Sequence, residues 1–197
     1  MTQNSLPSIK LALVAIGGNL HSLAGAPEDT LRAALRHLSS LPGTRVQAVS
    51  RFWQTPAFPP GSGPDYVNAA IALITELPPA EILAQLHDIE ARFGRERQGP
   101  RWQARGLDLD LIACDDLVLP DAAIQDAWRD LPSERQPEIA PETLILPHPR
   151  MQDRGFVLVP LAEVAPGWRH PRLGRSVAQM LEALPADALM GIRPVTA

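Results

Sequence analysis

"DYVNAAIALITEL", residues Asp65–Leu77, has the side-chain alternation of a β-strand. Successive side chains of a strand point to opposite faces, so one face of this segment is continuously apolar. That face consists of Val67, Ala69, Ile71 and Leu73. Tyr66 and Asn68 point the other way, ahead of two alanines. The pattern predicts a strand that packs one face on a core and carries polar groups on the other face near its start.

The segments around this strand predict the rest of the fold. An apolar run at residues 9–18, stopped by two glycines, predicts another strand. Further helices and strands are predicted at 26–43 (helix), 44–53 (strand), 78–94 (helix) and 106–114 (strand). The resulting β-α-β-β-α-β order is typical of a ferredoxin-like α+β sandwich, a mostly antiparallel sheet with helices packed on one face.

Chain length and composition limit the classes of protein. A chain of 197 residues suits a single domain, 1–197, with a proline-rich and charged surface insertion at 119–140. The net charge of -4 disfavours non-specific binding to nucleic acid, which needs a basic surface. Cys114 is the only cysteine, so no intramolecular disulfide can form. No signal peptide and no apolar run of about 20 residues is present, and the sequence therefore predicts a cytoplasmic protein without a membrane span.

Two acids alternate with leucines in "GLDLDL". On a strand, Asp108 and Asp110 share one face while the leucines face the core. Two close carboxylates repel each other, and a divalent cation between them removes the repulsion. Hard oxygen ligands suit Mg²⁺. An ordinary solvated strand face remains the alternative interpretation of this pattern alone.

An arginine-rich loop, "GRERQGPRWQARG", comes directly before the acids. It carries Arg95, Arg97, Arg101 and Arg105 against one glutamate. Arginine offers forked donors that match phosphate oxygens. A solvated basic loop is the alternative, but arginines beside an acidic pair favour phosphoryl-type transfer. The Gly-rich pattern that ends in Lys-Ser/Thr in P-loop enzymes does not occur in the sequence.

Side chains suited to a flat heterocycle lie before these charges in the chain and within the arginine loop. Asn68 offers a donor and an acceptor to a ring edge, and Phe58, Tyr66 and Trp102 offer flat apolar walls. Core packing is the alternative for each aromatic residue taken singly. His148 lies between two prolines in "LPHPRMQDRGF", where a structural role and a functional role are both open.

Five motifs together resemble the 6-hydroxymethyl-7,8-dihydropterin pyrophosphokinase family of folate biosynthesis. They are "AIGGN", "TPAF", "PDYVNAAIAL", "IEARFGRERQGPRWQARGLDLDL" and "LPHPRMQDRGFVLVPL". The resemblance implies that the β,γ-pyrophosphate of ATP moves intact to the hydroxymethyl group of the pterin, leaving AMP. The first motif has Gly18 where the family usually has serine, and His87 lies where some members have glutamine.

The resemblance also implies a role for each matching residue. Asp108 and Asp110 would hold two magnesium ions, and Arg95 and Arg105 would be the catalytic arginines. The pterin pocket would be lined by Thr55, Pro56, Phe58, Tyr66, Asn68, Trp102 and Phe156. ATP would be contacted by Glu90, Arg97, Arg101, His148 and Arg154. Loops at 55–64 and 95–106 would close over the two small-molecule substrates, in a monomer or weak homodimer.

Three other functions fit parts of the sequence. An RNA-binding module would use the arginine loop, but the acidic pair and the net negative charge argue against it. A magnesium-dependent phosphohydrolase would use the same acids and release phosphate without a pterin. A regulatory protein that keeps only the pterin pocket is disfavoured because Asp108, Asp110, Arg95 and Arg105 are all present.

Overall fold

The computed structural model describes residues 9–57, 63–94, 106–132, 135 and 139–196. Within these residues, six strands form one sheet whose pairings are all antiparallel. The strands are β1 (Lys10–Gly18), β2 (Thr44–Val49), β3 (Trp53–Thr55), β4 (Tyr66–Thr75), β5 (Asp108–Cys114) and β6 (Arg193–Pro194). Their order is β5-β1-β4-β3-β6, and β2 pairs with the other end of β4. The predicted α+β class with a mostly antiparallel sheet is confirmed.

Helices cover both faces of this sheet. They are α1 (Pro27–Ser39), α2 (Pro79–Arg92), α3 (Ala122–Arg129), α4 (Gly155–Val164) and α5 (Val177–Glu182). The apolar faces of α1 and α2 pack on the first face of the sheet, where they bury Ile71 and Leu73 of β4. The second face packs against α4 and α5, through Ala70 and Ala72 of β4. The sequence interpretation had helices on one face, and the second layer comes from residues after 150.

The alternation predicted for β4 is present. Val67, Ala69, Ile71 and Leu73 lie in the first core, and the opposite face carries Asn68 and small alanines. Each large aliphatic side chain buried in this way contributes about 1.5–3 kcal/mol to stability. The two faces of β4 therefore differ in side-chain size. Because its side chains on the second face are small alanines, α4 can approach the sheet closely there.

The strand predicted at 44–53 is divided in two. Ser50 interrupts it, because its hydroxyl accepts a hydrogen bond from the backbone N of Ala70 at 2.9 Å and donates to the carbonyl of Arg51 at 2.8 Å. The backbone N of Ser50 also donates to the Ala70 carbonyl at 2.9 Å. A side chain that competes for backbone partners in this way ends the regular pairing, so β2 and β3 pair with separate parts of β4.

The segment 119–140 contains α3. Leu119 and Leu146 exchange backbone hydrogen bonds of 2.9 and 3.2 Å, which close this excursion directly before Pro147. Asp121 caps α3 by accepting from the backbone N of Ile124 at 2.9 Å. α3 lies next to the segment that begins at Pro147, whose carbonyl accepts from Gln125 Nε2.

Cys114 is buried at the end of β5, as expected for a small apolar side chain. Burial and the charge of Asp115 raise the pKa of its thiol to about 11. The thiol therefore stays protonated at neutral pH. In the described part of the chain, no helix combines the length and the apolar character that crossing a bilayer would require.

Candidate active site

Backbone pairing places four residues in one row across the sheet. Trp53 pairs with Asn68, Asn68 with Gly17, and Gly17 with Asp108. Directly paired residues of antiparallel strands point to the same face, so these side chains share the second face. Neighbouring strands lie about 4.8 Å apart, so the backbones of Asn68 and Asp108 are separated by roughly 10 Å. We call these four residues the site row.

The two flanking rows complete the constellation. Thr55 pairs with Tyr66 on one side, and Ala15 pairs with Asp110 on the other. Ala15, Asp108 and Asp110 are all half-buried, whereas residues further along the second face lie under α4. One end of this face is therefore core and the other end is accessible.

Asp108 and Asp110 lie on the same face, as the alternation of β5 predicted. Leu107, Leu109 and Leu111 are 2, 2 and 3% exposed and face the first core. The small residues Gly17 and Ala15 lie opposite the acids, and the Asn68 amide fills the space that a side chain at Gly17 would take. Within the ranges that the structure describes, no third histidine, cysteine or acid joins them in a metal-binding cluster. The pair itself is a half-exposed set of hard oxygen donors, which is suited to a divalent cation whose other ligands are phosphate or water.

His148 is held beside this acidic pair by its backbone. Its N donates to the carbonyl of Ile112 in β5 at 2.7 Å. Its Nδ1 accepts from the backbone N of Arg150 at 3.1 Å, which assigns the ring proton to Nε2. Burial and the charges of Arg154 and Arg150 lower the pKa of His148 to about 3, opposed by the charge of Asp108. The imidazole is therefore a neutral hydrogen-bond donor at neutral pH.

Arg154 brings positive charge to the same place. Burial lowers the pKa of its guanidinium, while the charges of Asp110 and Asp108 act in the opposite direction. Its guanidinium carbon lies 5.4 Å from the centroid of the Phe156 ring. The structure thus brings His148 and Arg154 to the acidic pair, and Phe156, 37% exposed, lies beside Arg154.

The segment that carries His148 is supported from behind by α3. Gln125 is the buried residue of that helix, and its Nε2 donates to the carbonyl of Pro147 at 3.2 Å. Asp126, the next residue, accepts from Arg172 at 2.6 and 3.0 Å and pairs with Arg129 at 2.6 Å. Sequence periodicity could not predict this support, because it depends on a single hydrogen bond from one glutamine side chain to a backbone carbonyl.

Asn68 and Thr55 form the other half of the site. The Asn68 Nδ2 donates to Thr55 Oγ1 at 2.7 Å, and the two side chains are 9% and 3% exposed. A methyl group at Gly17 would collide with Asn68 Oδ1, so glycine is needed where these two strands pair. Tyr66 is half-buried and Pro56 is exposed. The hydrogen bond and the neighbouring glycine fix the amide plane of Asn68.

Glu90 contacts the backbone of the strand that carries both acids. Its side chain is 0% exposed, and its Oε1 accepts from the backbone N of Leu109 at 2.8 Å. Leu109 separates Asp108 from Asp110, so Glu90 fixes the strand that presents both acids. This hydrogen bond gives Glu90 a positioning role, and the direct ATP contact that the resemblance implied stays a prediction.

Six of the predicted site residues lie outside the residues that the structure describes. They are Phe58, Arg95, Arg97, Arg101, Trp102 and Arg105. The loops predicted to close at 55–64 and 95–106 fall largely on the same ranges. Their roles therefore stay predictions.

Comparison with known proteins relates the chain to one enzyme family. The model of the family 7,8-dihydro-6-hydroxymethylpterin-pyrophosphokinase (HPPK) matches residues 13–166. The 2-amino-4-hydroxy-6-hydroxymethyldihydropteridine pyrophosphokinase of Synechocystis is 37% identical over 183 residues, which cover 93% of this chain and 80% of that protein. The protein of the same name from Pseudomonas aeruginosa is 36% identical over 181 residues, covering 92% and 96%.

Solved structures resemble the fold at low sequence identity. The wild-type HPPK-DHPS of Plasmodium falciparum with pteroate superposes with a TM-score of 0.61 at 11% identity. The match covers 91% of this chain and 43% of that one, so the chain spans less than half of the solved protein. An HPPK-DHPS in complex with substrates also gives a TM-score of 0.61, at 10% identity. At such identities the likeness concerns the arrangement of sheet and helices.

Proposed function

Because the chain belongs to the 7,8-dihydro-6-hydroxymethylpterin-pyrophosphokinase family, it transfers pyrophosphate to hydroxymethyldihydropterin in folate biosynthesis, and we propose that ATP is the donor. The hydroxymethyl oxygen attacks the β-phosphorus of ATP, and its proton is released. The bond from that phosphorus to the oxygen bridging to the α-phosphate breaks, and AMP leaves. Such a transfer depends mainly on alignment and on charge stabilisation, since it passes through no covalent intermediate with the protein.

The observation that carries this proposal is the site row. It sets the backbones of Asn68, whose amide is fixed, and Asp108 roughly 10 Å apart on one sheet face. A pterin ring that pairs its edge with Asn68 would direct its hydroxymethyl arm along the sheet toward the acids. That separation suits a heterocycle at one end and a phosphate chain at the other.

The pterin half of the site consists of residues with separate tasks. Asn68 pairs with the ring edge, and Thr55 holds the Asn68 amide in its orientation through their 2.7 Å hydrogen bond. Tyr66 and Phe156 supply flat walls. Pro56, Phe58 and Trp102 complete the lining in this proposal. A site that hydrogen-bonds a specific edge rejects rings that lack the matching groups.

The nucleotide half lies at the acidic pair. Asp108 and Asp110 would hold magnesium, in two ions as the family resemblance implies. Bound magnesium neutralises charge on the transferred phosphates. His148 donates from its neutral Nε2 and Arg154 supplies charge to phosphate oxygens, which fits their location beside the acids.

The arginine loop completes the nucleotide half. Arg97 and Arg101 bind phosphates in this proposal. Arg95 and Arg105 stabilise the charge that develops on the leaving bridging oxygen, as preorganised donors do in phosphoryl transfer. The cytoplasmic location and the monomeric or weakly dimeric state remain predictions from the sequence.

The products of ATP distinguish this function from its alternatives. The protein is incubated with ATP, Mg²⁺ and hydroxymethyldihydropterin, and the nucleotide products are separated by chromatography. We expect AMP and the pterin diphosphate in equal amounts, and no AMP when the pterin is omitted. ADP as the product, or phosphate release without pterin, would instead support a phosphohydrolase. Salt-sensitive RNA binding without ATP turnover would support the RNA-binding alternative.

A further inference from the structure

The last part of the chain reaches the pterin half of the site. Residues 186–196 comprise a 3-10 turn at Ala186–Leu189 and strand β6. They follow residue 166, the last that the family model matches. We call this segment the C-terminal brace, because it makes three separate contacts around the pocket wall.

The first contact is a strand pairing. β6 pairs with β3, with Pro194 opposite Trp53 and Arg193 opposite Gln54. The backbone N of Val195 donates to the carbonyl of Phe52 at 2.8 Å. β3 is only three residues long and ends at Thr55, which holds the amide of Asn68. The brace therefore stabilises the short strand from which the pocket wall continues.

The second contact is at Pro56. Gly191 has a φ of +77°, and a Cβ built on it would lie 2.7 Å from Pro56 Cγ. Real Cβ atoms do not approach other atoms so closely, so the backbone of Gly191 packs directly on the proline ring. Only glycine combines this conformation with this approach.

The third contact is at the start of α4. A methyl group on Gly155 would collide with the carbonyl oxygen of Ala188 and would lie 3.1 Å from Ile192 Cδ1. Gly155 directly precedes Phe156 and follows Arg154. The brace therefore lies against the residue that sets the position of the Phe156 wall.

We propose that the C-terminal brace sets the spacing of the pterin pocket by holding Pro56 and Phe156 in fixed relation, with Gly191 and Ile192 as its positioning residues. This inference rests on the proposed pterin site. It places residues outside the family match in the machinery that selects the pterin, while the nucleotide half of the site does not depend on them.

A pair of glycine substitutions tests the proposal. Gly191→Ala strains a left-handed residue and pushes on Pro56. Gly174→Ala strains a residue of similar φ, +67°, with no atom within 4 Å of the new methyl group. The Kd of hydroxymethyldihydropterin is measured by fluorescence titration, alone and with saturating α,β-methylene ATP, and the Kd of that analogue is measured by calorimetry.

We expect Gly191→Ala to raise the Kd of the pterin roughly tenfold or more, since small displacements in a positioned site have large effects. The Kd of the ATP analogue should change less than about twofold, and Gly174→Ala should change neither value. Equal pterin affinities in the two variants would overturn the proposal that the C-terminal brace sets the spacing of the pocket. Equal losses of pterin and nucleotide affinity in Gly191→Ala would also overturn it, because they indicate general damage.

A second pair covers the case in which Gly191→Ala fails to fold. Ile192→Ala removes the contact to Gly155 without backbone strain, and Met190→Ala alters a neighbouring side chain that is 72% exposed. Only Ile192→Ala should weaken pterin binding; equal behaviour of the two would refute the proposal. A wild-type protein that neither binds the pterin nor forms AMP would contradict the proposed function itself.

Discussion

Single residues of the site row have tasks that follow from their place on the sheet. Gly17 has no side chain because Asn68 Oδ1 occupies the space where a Cβ would lie. Asp108 and Asp110 are presented by a strand whose leucines are buried on the other side. The sequence predicted the acids and Asn68, since a period of two fixes their face. The need for glycine at Gly17 could not be predicted, because it depends on a contact between strands distant in the chain.

Gly17→Ala should weaken pterin binding. The added methyl group must displace Asn68 or separate β1 from β4, and such overpacking typically costs about 1–3 kcal/mol of stability. We expect a raised KM for the pterin and an unchanged KM for ATP, measured in the AMP assay with thermal unfolding in parallel. Gly167→Ala is the control, because a methyl group there meets nothing within 4 Å. Unchanged pterin KM in a folded Gly17→Ala protein would argue against the role of Asn68.

Asp110→Ala should abolish turnover and leave the fold intact. The carboxylate is half-buried at the accessible end of the sheet, so its removal empties a proposed cation site without opening a cavity in the core. AMP formation and the Tm are measured, with Asp116→Ala, an exposed acid just after β5, as the matched control. Normal turnover of Asp110→Ala at saturating Mg²⁺ would remove the metal assignment.

The helices and strands that position these residues could not all be predicted equally well from the sequence. β1, β4, β5, α1 and α2 follow from hydrophobic periodicity, because each buries a repeating apolar face. The packing of α4 on the second face was not predicted, since α4 is apolar on most sides and contains Pro160. The interruption at Ser50 was not predicted either, because it depends on a hydroxyl that bonds a distant strand. α3 is a third case, in which one buried polar side chain connects an excursion to the site.

Gln125→Ala should weaken nucleotide binding through the segment that carries His148. Loss of its Nε2 removes the hydrogen bond to Pro147 and leaves that carbonyl without this partner, which costs about 1–3 kcal/mol when buried. We expect the KM for ATP to rise several-fold while the KM for the pterin stays constant. Ile124→Ala, on the exposed side of the same helix, is the control. Equal rises in both KM values would indicate general loosening of the fold.

At the scale of the whole molecule, the residues of the hydrophobic core and those of the candidate site occupy different parts of the sheet. Its first face is core along its length, and its second face is core at one end and site at the other. Two histidines with lowered pKa values make the free energy of unfolding depend on pH. Burial, with nearby arginines, lowers the pKa of His148 to about 3 and that of His170 to about 4. Both are therefore neutral in the folded protein near pH 7.

The stability of the protein should fall as the pH is lowered below about 6.5. Both folded-state pKa values lie below the ordinary value of 6.5, so the unfolded chain takes up protons first. Each histidine then lowers the free energy of unfolding by at most about 1.4 kcal/mol per pH unit until its folded pKa is reached. Urea unfolding at pH 7, 5.5 and 4.5 measures the slope, which His148→Asn should reduce. An equal slope in the wild type and His148→Asn would contradict the assignment to His148.

The backbone of β5 has a consequence for self-association. This strand ends the sheet, and its outward-facing groups at Leu109 and Ile112 are already bonded to Glu90 and to the backbone of His148. An incoming strand from another copy would have to break both bonds and evict a buried carboxylate from its place. These two bonds therefore disfavour edge-to-edge addition, a common route to fibrils and to extended two-chain sheets, at the margin nearest the acids.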